Sequence, residues 1–264
     1  MIFDLIYVII LSIIEGITEW LPISSTAHLL IFESIIKSPL TTEFSLMFDV
    51  CIQFGAVLGV VILYFKELNP FIGKKINKDS IKTWKLIFIS MIPIVIFGFL
   101  LDDLIVSIFY NTLTIGITLI FYGIIFIIVE VVNKKEKRTE ITPLTALLVG
   151  LVQVLALIPG TSRSGITIIF LLLLGINKTN GVKYSFFLSV PIMFGASILK
   201  IGKYILSYSI QFNEVILLLI GMVVTLLVSL FVIKKFMKYI NKFTFKIFGI
   251  YRIIIGVLLL LFFL

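Results

Sequence analysis

The stretch Glu15-Gly-Ile-Thr-Glu19-Trp-Leu-Pro22-Ile-Ser24-Ser25-Thr26-Ala-His28 sets two carboxylates, three consecutive hydroxyls and an imidazole inside apolar sequence, between residues 5–14 and 29–32. His28 is the only histidine of the chain. A charge placed in hydrocarbon costs about 2.5–3.5 kcal/mol on insertion scales, so the stretch reads as a working site. Glu15 and Glu19, four apart, share one face of a helix and repel each other. A cation, or a cationic ligand group, between them makes that spacing tolerable. Pro22 has no N–H and clashes with the preceding turn, so it stops the helix. Ser24, Ser25 and Thr26 are good N-cap residues for a second short helix beginning near His28. The amides of such a helix start face a polar pocket and bind anions, phosphate most readily.

A second polar break, Pro159-Gly160-Thr161-Ser162-Arg163-Ser164-Gly165, supplies the opposite charge. The Arg163 guanidinium fork suits two phosphate oxygens and offsets Glu15 and Glu19. Gly160 and Gly165 allow tight backbone, and Ser162, Ser164 and Thr167 add hydroxyl donors. With phosphate ligands near, His28 reads as a nucleophile or proton donor. The plainer alternatives are a snorkelling Arg163, an ion pair that only ties helices together, and a histidine satisfying a core hydrogen bond. Two carboxylates where a pair needs one argue against the ion pair. Arg252, early in the last span, is expected to snorkel at the cytoplasmic boundary. Asp49 and Gln53, four apart at the outer start of their span, read equally as groups supporting the site or as boundary residues, and Gly55, Gly59, Gly116, Gly123, Gly195, Gly221, Gly249 and Gly256 are expected at close helix contacts.

The elements that position these groups follow from composition. Hydrophobic residues make up 60% of the chain and charged ones 14%, and the mean hydropathy is +1.23. Apolar stretches of span length recur, which predicts an all-α polytopic membrane protein and excludes a barrel of alternating strands. Cys51 is alone, so no internal disulfide forms and no cysteine metal motif exists. The start Met1-Ile2-Phe3-Asp4 lacks a positive n-region, and no cleavable signal is expected. The net charge of +8 needs no nucleic-acid partner, because basic residues gather in cytoplasmic loops of membrane proteins.

Broken segments are expected over residues 2–36 and 143–174. Spans are expected over 48–65, 86–101 (ending at Asp102 and Asp103 in a short loop), 113–132, 184–206, 215–233 and 245–264. With the N-terminus outside, seventeen of the twenty-two basic residues lie in cytoplasmic connections: Lys66, Lys74, Lys75, Lys78, Lys82 and Lys85; Lys134, Lys135, Lys137 and Arg138; Lys178 and Lys183; Lys234, Lys235, Lys238, Lys242 and Lys246. Each half, 1–132 and 143–264, is then one re-entrant segment plus three spans, inverted relative to the other. Gly16-x-x-Glu19 before Pro and Ser-Ser-Thr matches Gly150-x-x-Gln153 before Pro159 and Thr-Ser-Arg-Ser. Broken segments at equivalent places in inverted repeats put a polar site near mid-membrane.

Glu15-Gly-x-x-Glu19-x-x-Pro22-x-Ser24-Ser25-Thr26-x-His28, Pro159-Gly-x-Ser162-Arg163-Ser164-Gly-x-Thr167 and Ser189-x-Pro191 resemble the signatures of the bacterial undecaprenyl-diphosphate phosphatase (bacitracin-resistance) family, over essentially the whole chain. The resemblance implies a plasma-membrane phosphatase that converts undecaprenyl diphosphate to undecaprenyl phosphate, with a site open to the outer face. It implies inverted repeats and a divalent cation, Mg²⁺ or Ca²⁺, on Glu15 and Glu19. By motif, His28, Ser25 and Glu19 become catalytic candidates, the nucleophile being His28, Ser25 or water. Arg163, Ser162, Ser164, Ser24, Thr26 and Thr167 become diphosphate ligands. Gln153 stands where the first half has Glu19, so the second half is expected to lack a metal site. The prenyl tail would lie among membrane lipids, and a homodimer is left open. The rival class is a lipid-phosphate flippase, since inverted repeats with broken helices also build carriers.

Overall fold

The structure is a computed structural model describing residues 2–72, 76–132 and 140–263, with only the backbone of Asp102, Asp103 and Val106. Lys74, Lys75, Lys134, Lys135, Lys137 and Arg138 lie outside the described residues. The described chain is helical: α1 (Ile2–Thr18), α2 (Ser25–Ile35), α3 (Thr42–Leu63), the short α4 (Phe65–Leu68), α5 (Lys78–Phe109), α6 (Thr112–Val132), α7 (Pro143–Gln153), α8 (Arg163–Leu173), α9 (Lys178–Ser207), α10 (Phe212–Ile240) and α11 (Lys246–Phe263). Six of these, α3, α5, α6, α9, α10 and α11, are long and apolar enough to cross a membrane. Phe99 and Leu206 are almost fully exposed on them, as apolar side chains that face lipid are.

The spans run further than hydropathy suggests. The helix of residues 86–101 does not stop at Asp102 and Asp103 but continues to Phe109. Lys78, Lys82 and Lys85 ride the first turns of α5, and Lys234, Lys235 and Lys238 the last turns of α10, so these bases sit on helix ends instead of loops. Ion pairs Lys82–Glu140 (3.1 Å), Lys183–Glu67 (2.9 Å) and Lys178–Glu130 (2.7 Å) draw the basic connections together.

Local chemistry sets the helix starts. Thr41 accepts from the Phe44 amide (3.3 Å) to open α3, and Asn177 from the Asn180 amide (2.8 Å) to open α9. Thr142 caps α7, whose first residue is Pro143, the position that needs no N–H. α6 packs along α11, α3 between α10 and α9, α1 on α10 and α7 on α5. The helix before each break approaches its span through one glycine. A Cβ on Gly16 would lie 3.0 Å from the Thr225 carbonyl oxygen of α10, and one on Gly150 would strike the Ser90 carbonyl of α5. Hydrogen bonds pin both contacts, Thr225 Oγ1 to Ser12 O (3.2 Å) and Ser90 Oγ to Ala146 O (2.6 Å). Gly195, expected at such a contact, has nothing near enough to meet a Cβ. Trp20, fully buried in the first break, meets Phe186 of α9 edge-on at 4.9 Å and anchors the break to the core.

Candidate active site

Two interruptions of the helical backbone build the site. α1 ends at Thr18, and Leu21-Pro22-Ile23 makes a tight reversal closed by Ile23 N to Leu21 O (2.8 Å). α2 then starts at Ser25, three residues before the expected start at His28, because Ser24 is the residue that caps it. In the second break a 3₁₀ turn (Val154–Leu157) follows α7, and Pro159-Gly160 leads to Ser162, which caps α8. The two caps are built alike. Ser24 has φ 73° and ψ 100°, Ser162 φ 71° and ψ 110°, and each hydroxyl accepts from the amide three residues on. Among the described residues they are the two non-glycine positions with positive φ. Holding such a residue there costs roughly 1–3 kcal/mol, a strain that clusters at functional sites.

Between the breaks lies a cavity of about 220 Å³ whose wall includes Glu19, Ser24, Ser25, Thr26, Ser162, Arg163 and Ser164. Arg163 Nη2 donates to Glu19 Oε1 (2.7 Å), and its Nη1 to the Ser185 carbonyl (2.9 Å). A cation at the first residue of α8 faces the positive end of the helix dipole, so it needs this carboxylate or an anionic ligand beside it. Arg163 Nε is buried without a hydrogen-bond partner. The other oxygen of Glu19 accepts from Ser25 Oγ at 2.7 Å, and Ser164 Oγ reaches the Glu19 carbonyl (3.3 Å). One carboxylate thus holds an arginine of the second break and a hydroxyl of the first.

Other expected residues stand outside the cavity wall. Thr167 donates to the Arg163 carbonyl (3.0 Å) and exchanges a hydrogen bond with Ser185 Oγ (2.7 Å), so it steadies the start of α8 from behind. His28 Nδ1 lies 2.7 Å from the Ser24 carbonyl, and its Nε2 2.8 Å from Tyr251 Oη. A carbonyl only accepts, so the ring donates from Nδ1 and receives the tyrosine hydroxyl at Nε2. Tyr251, 223 positions away in sequence, carries no signal that would pair it with His28 beforehand. Glu15 is fully buried against Glu19, and neither of its carboxylate oxygens has a donor.

Arg252 is the main correction to the expected layout. It does not snorkel: it is fully buried, its Nη2 donating to the carbonyls of Gly160 (2.7 Å) and Thr161 (3.1 Å), its Nη1 to that of Pro22 (3.3 Å). Tyr122 and Phe126 flank the guanidinium at 5.8 and 6.0 Å. One side chain of α11 therefore ties both breaks. Gln53 also belongs to the site; α3 begins early enough, at Thr42, to carry it inward onto the cavity wall.

A helical polytopic membrane protein with an arginine, a carboxylate and hydroxyls around two strained helix starts is a membrane protein built to hold an anionic group. The comparisons narrow that class. The profile of the bacitracin resistance protein BacA family matches residues 8–258, and the chain belongs to that family. A protein named undecaprenyl-diphosphatase from Desulfitobacterium hafniense is 47% identical over 264 residues, covering 97% of this chain and 94% of its own. Proteins of the same name from Acetivibrio thermocellus (45%, 99% of this chain and 98% of the relative) and Enterococcus faecalis (47%, 96% and 95%) are similar to nearly the same extent.

Proposed function

We propose that this chain is an undecaprenyl-diphosphate phosphatase of the bacterial plasma membrane. It returns undecaprenyl phosphate to the carrier cycle of cell-wall synthesis and so confers the bacitracin resistance for which the family is named. The observation that carries this is the sequence of contacts Arg163–Glu19–Ser25 on one cavity wall. Ser25 Oγ attacks the terminal phosphorus as Glu19 takes its proton; the new Oγ–P bond forms while the bond from phosphorus to the bridging oxygen breaks, and the lipid monophosphate leaves. Water then cleaves the phosphoserine, releasing phosphate. Phosphoryl transfer depends mainly on positioning and charge, and Arg163, the Ser24, Thr26, Ser162 and Ser164 hydroxyls and the amides of the two helix starts serve the equatorial oxygens. His28 acts as a positioning residue, holding the strained Ser24 through its carbonyl.

A divalent cation fits this chain at Glu15, whose buried carboxylate has no hydrogen-bond donor and shares its nearby positive charge, Arg163, with Glu19. Among the described residues no three carboxylate, histidine or cysteine groups converge, so Glu15 and Glu19 would hold it together with the substrate's own oxygens. When bound, it supplies charge neutralisation for the diphosphate. The apolar part of the wall, Ile94, Ile192, Met193 and Ala196, suits the first isoprene units. The matched caps and the glycine contacts of α1 and α7 support inverted repeats over 1–132 and 143–264. The convergence of Glu67, Lys82, Glu140 and Lys183 around one pocket supports a single cytoplasmic end, and with the basic connections on that side the site would open to the outside.

Purified protein tests the activity. A long-chain prenyl diphosphate should release phosphate, and chelator or Glu15→Gln should stop it. Absence of release across several divalent ions would hand the site to a lipid-phosphate carrier. In intact cells, an impermeant thiol reagent on a Cys51→Ser protein should reach a cysteine at Asn111 and miss one at Asn77; the reverse inverts the topology.

A further inference from the structure

Gln153, the last residue of α7, is fully buried yet forms part of the cavity wall. Both ends of its amide, Oε1 and Nε2, lack a hydrogen-bond partner. Buried polar atoms are almost always paired, and leaving them unpaired costs stability, so such an exception points to a group that waits for a ligand. The residue at the matching place in the first half shows the contrast. Glu19 has both oxygens engaged, by Arg163 and Ser25, whereas both polar atoms of Gln153 are buried and unpaired in the wall of the same cavity.

We infer that Gln153 is a phosphoryl-binding residue, its Nε2–H donating to one phosphoryl oxygen and its Oε1 accepting from a protonated one. The inference rests on the proposed function in taking a phosphorylated ligand for the cavity. A phosphoryl group with a second pKa of about 6 still carries one proton part of the time near neutrality, and then shows a donor and an acceptor side by side. An amide matches that edge at both atoms, while Arg163 has only donors and reads the bare oxygens. The same chemistry explains why an amide and not a carboxylate stands here. A glutamate at 153 would accept only and would add negative charge to a cavity that must admit a diphosphate. The second break thus serves as an anion-binding half, with Gln153 and Arg163, opposite a first break that carries the carboxylates.

The test uses the full-length protein in detergent with two variants. Gln153→Met keeps length and volume without the polar atoms, and Gln153→Glu restores the carboxylate. For Gln153→Met the KM for prenyl diphosphate should rise about tenfold or more, as for a lost hydrogen bond to a charged partner, with a smaller change in kcat. Inhibition by inorganic phosphate should weaken in step, and the melting temperature without ligand should stay level or rise, since two unpaired polar atoms are gone. Gln153→Glu should raise KM further. If only phosphate inhibition weakens, the group read is the released phosphate and the assignment stands for product. Unchanged KM and phosphate inhibition, with a lowered melting temperature, would make Gln153 a structural residue and overturn the inference. If the unmutated protein binds phosphate through Gln153 but releases none from the lipid, the enzyme reading fails and this one survives.

Discussion

The two breaks share a backbone and differ in charge. Each begins with a helix packed through one glycine, Gly16 or Gly150, and ends in a serine cap held near φ 70°. The first carries Glu15 and Glu19 and puts Ser25 right after its cap; the second puts Arg163 at that same place. The fold therefore uses one strained device twice, to aim two helix starts at a common cavity, and the side chains give each copy its own task. Electrostatics follow: the arginine of the second break neutralises the carboxylate that accepts from the Ser25 hydroxyl of the first, so neither break is complete alone. Arg252, reaching carbonyls of both, fixes their relative position without entering the chemistry.

Substitutions at matched positions sharpen the contrast. The largest effect is expected at Ser25, the residue after the first cap, set against Ser164, the serine two places after the second cap. Ser25→Ala should lower turnover by about a thousandfold or more, the scale of losing a nucleophile that acts within a unit. Ser164→Ala, which loses a contact to the Glu19 backbone, should cost roughly tenfold; phosphate release by both variants decides, and equal losses would break the asymmetry. Next comes Arg252→Met, which leaves three loop carbonyls unpaired. It should lower stability by about 3 kcal/mol or more, since each buried acceptor left without a donor costs about 1–3 kcal/mol, while Arg252→Lys recovers part of it. Thermal unfolding in detergent reads this, and a small effect would mean the breaks hold themselves.

Smaller effects test the shared backbone. Gly16→Ala and Gly150→Ala should each cost about 1–3 kcal/mol by overpacking against α10 and α5; melting temperatures check it, and a cost at one site alone would undo the equivalence. The smallest effect is at the caps. Ser24→Gly and Ser162→Gly relieve the positive φ while losing the cap, so stability should change by only a few tenths of a kcal/mol. Ser24→Ala and Ser162→Ala lose the cap without relief and should cost about 1 kcal/mol or more.

Much of this was legible in the chain because the breaks are written in local chemistry. Pro22, the serines after it and Pro159-Gly160 cannot continue a helix, whatever packs around them. Charge and hydroxyls in apolar sequence marked Glu19, Ser25 and Arg163, which the fold brings to one cavity wall, and hydropathy marked the six spans. What escaped depends on tertiary contact. A lone arginine at a span boundary reads the same whether it snorkels or turns inward, and the partners of Arg252 are carbonyls, which leave no trace in sequence. The same holds for Tyr251 beside His28. Gln153 was visible beside Gly150 but counted only as a missing carboxylate; its open amide shows only once the cavity does. The end of α5 escaped because two aspartates read as a loop, and a helix leaving the membrane can carry them.

The most direct test of the two breaks as one unit is a double-mutant cycle on Glu19 and Arg163, using Glu19→Gln, Arg163→Met and the double variant, with phosphate release from prenyl diphosphate as the readout. Each single variant should lose about as much activity, on the order of a thousandfold, as the double does, because residues acting as one unit are strongly non-additive. Losses that multiply in the double variant would contradict the account, since the two breaks would then act on the substrate independently.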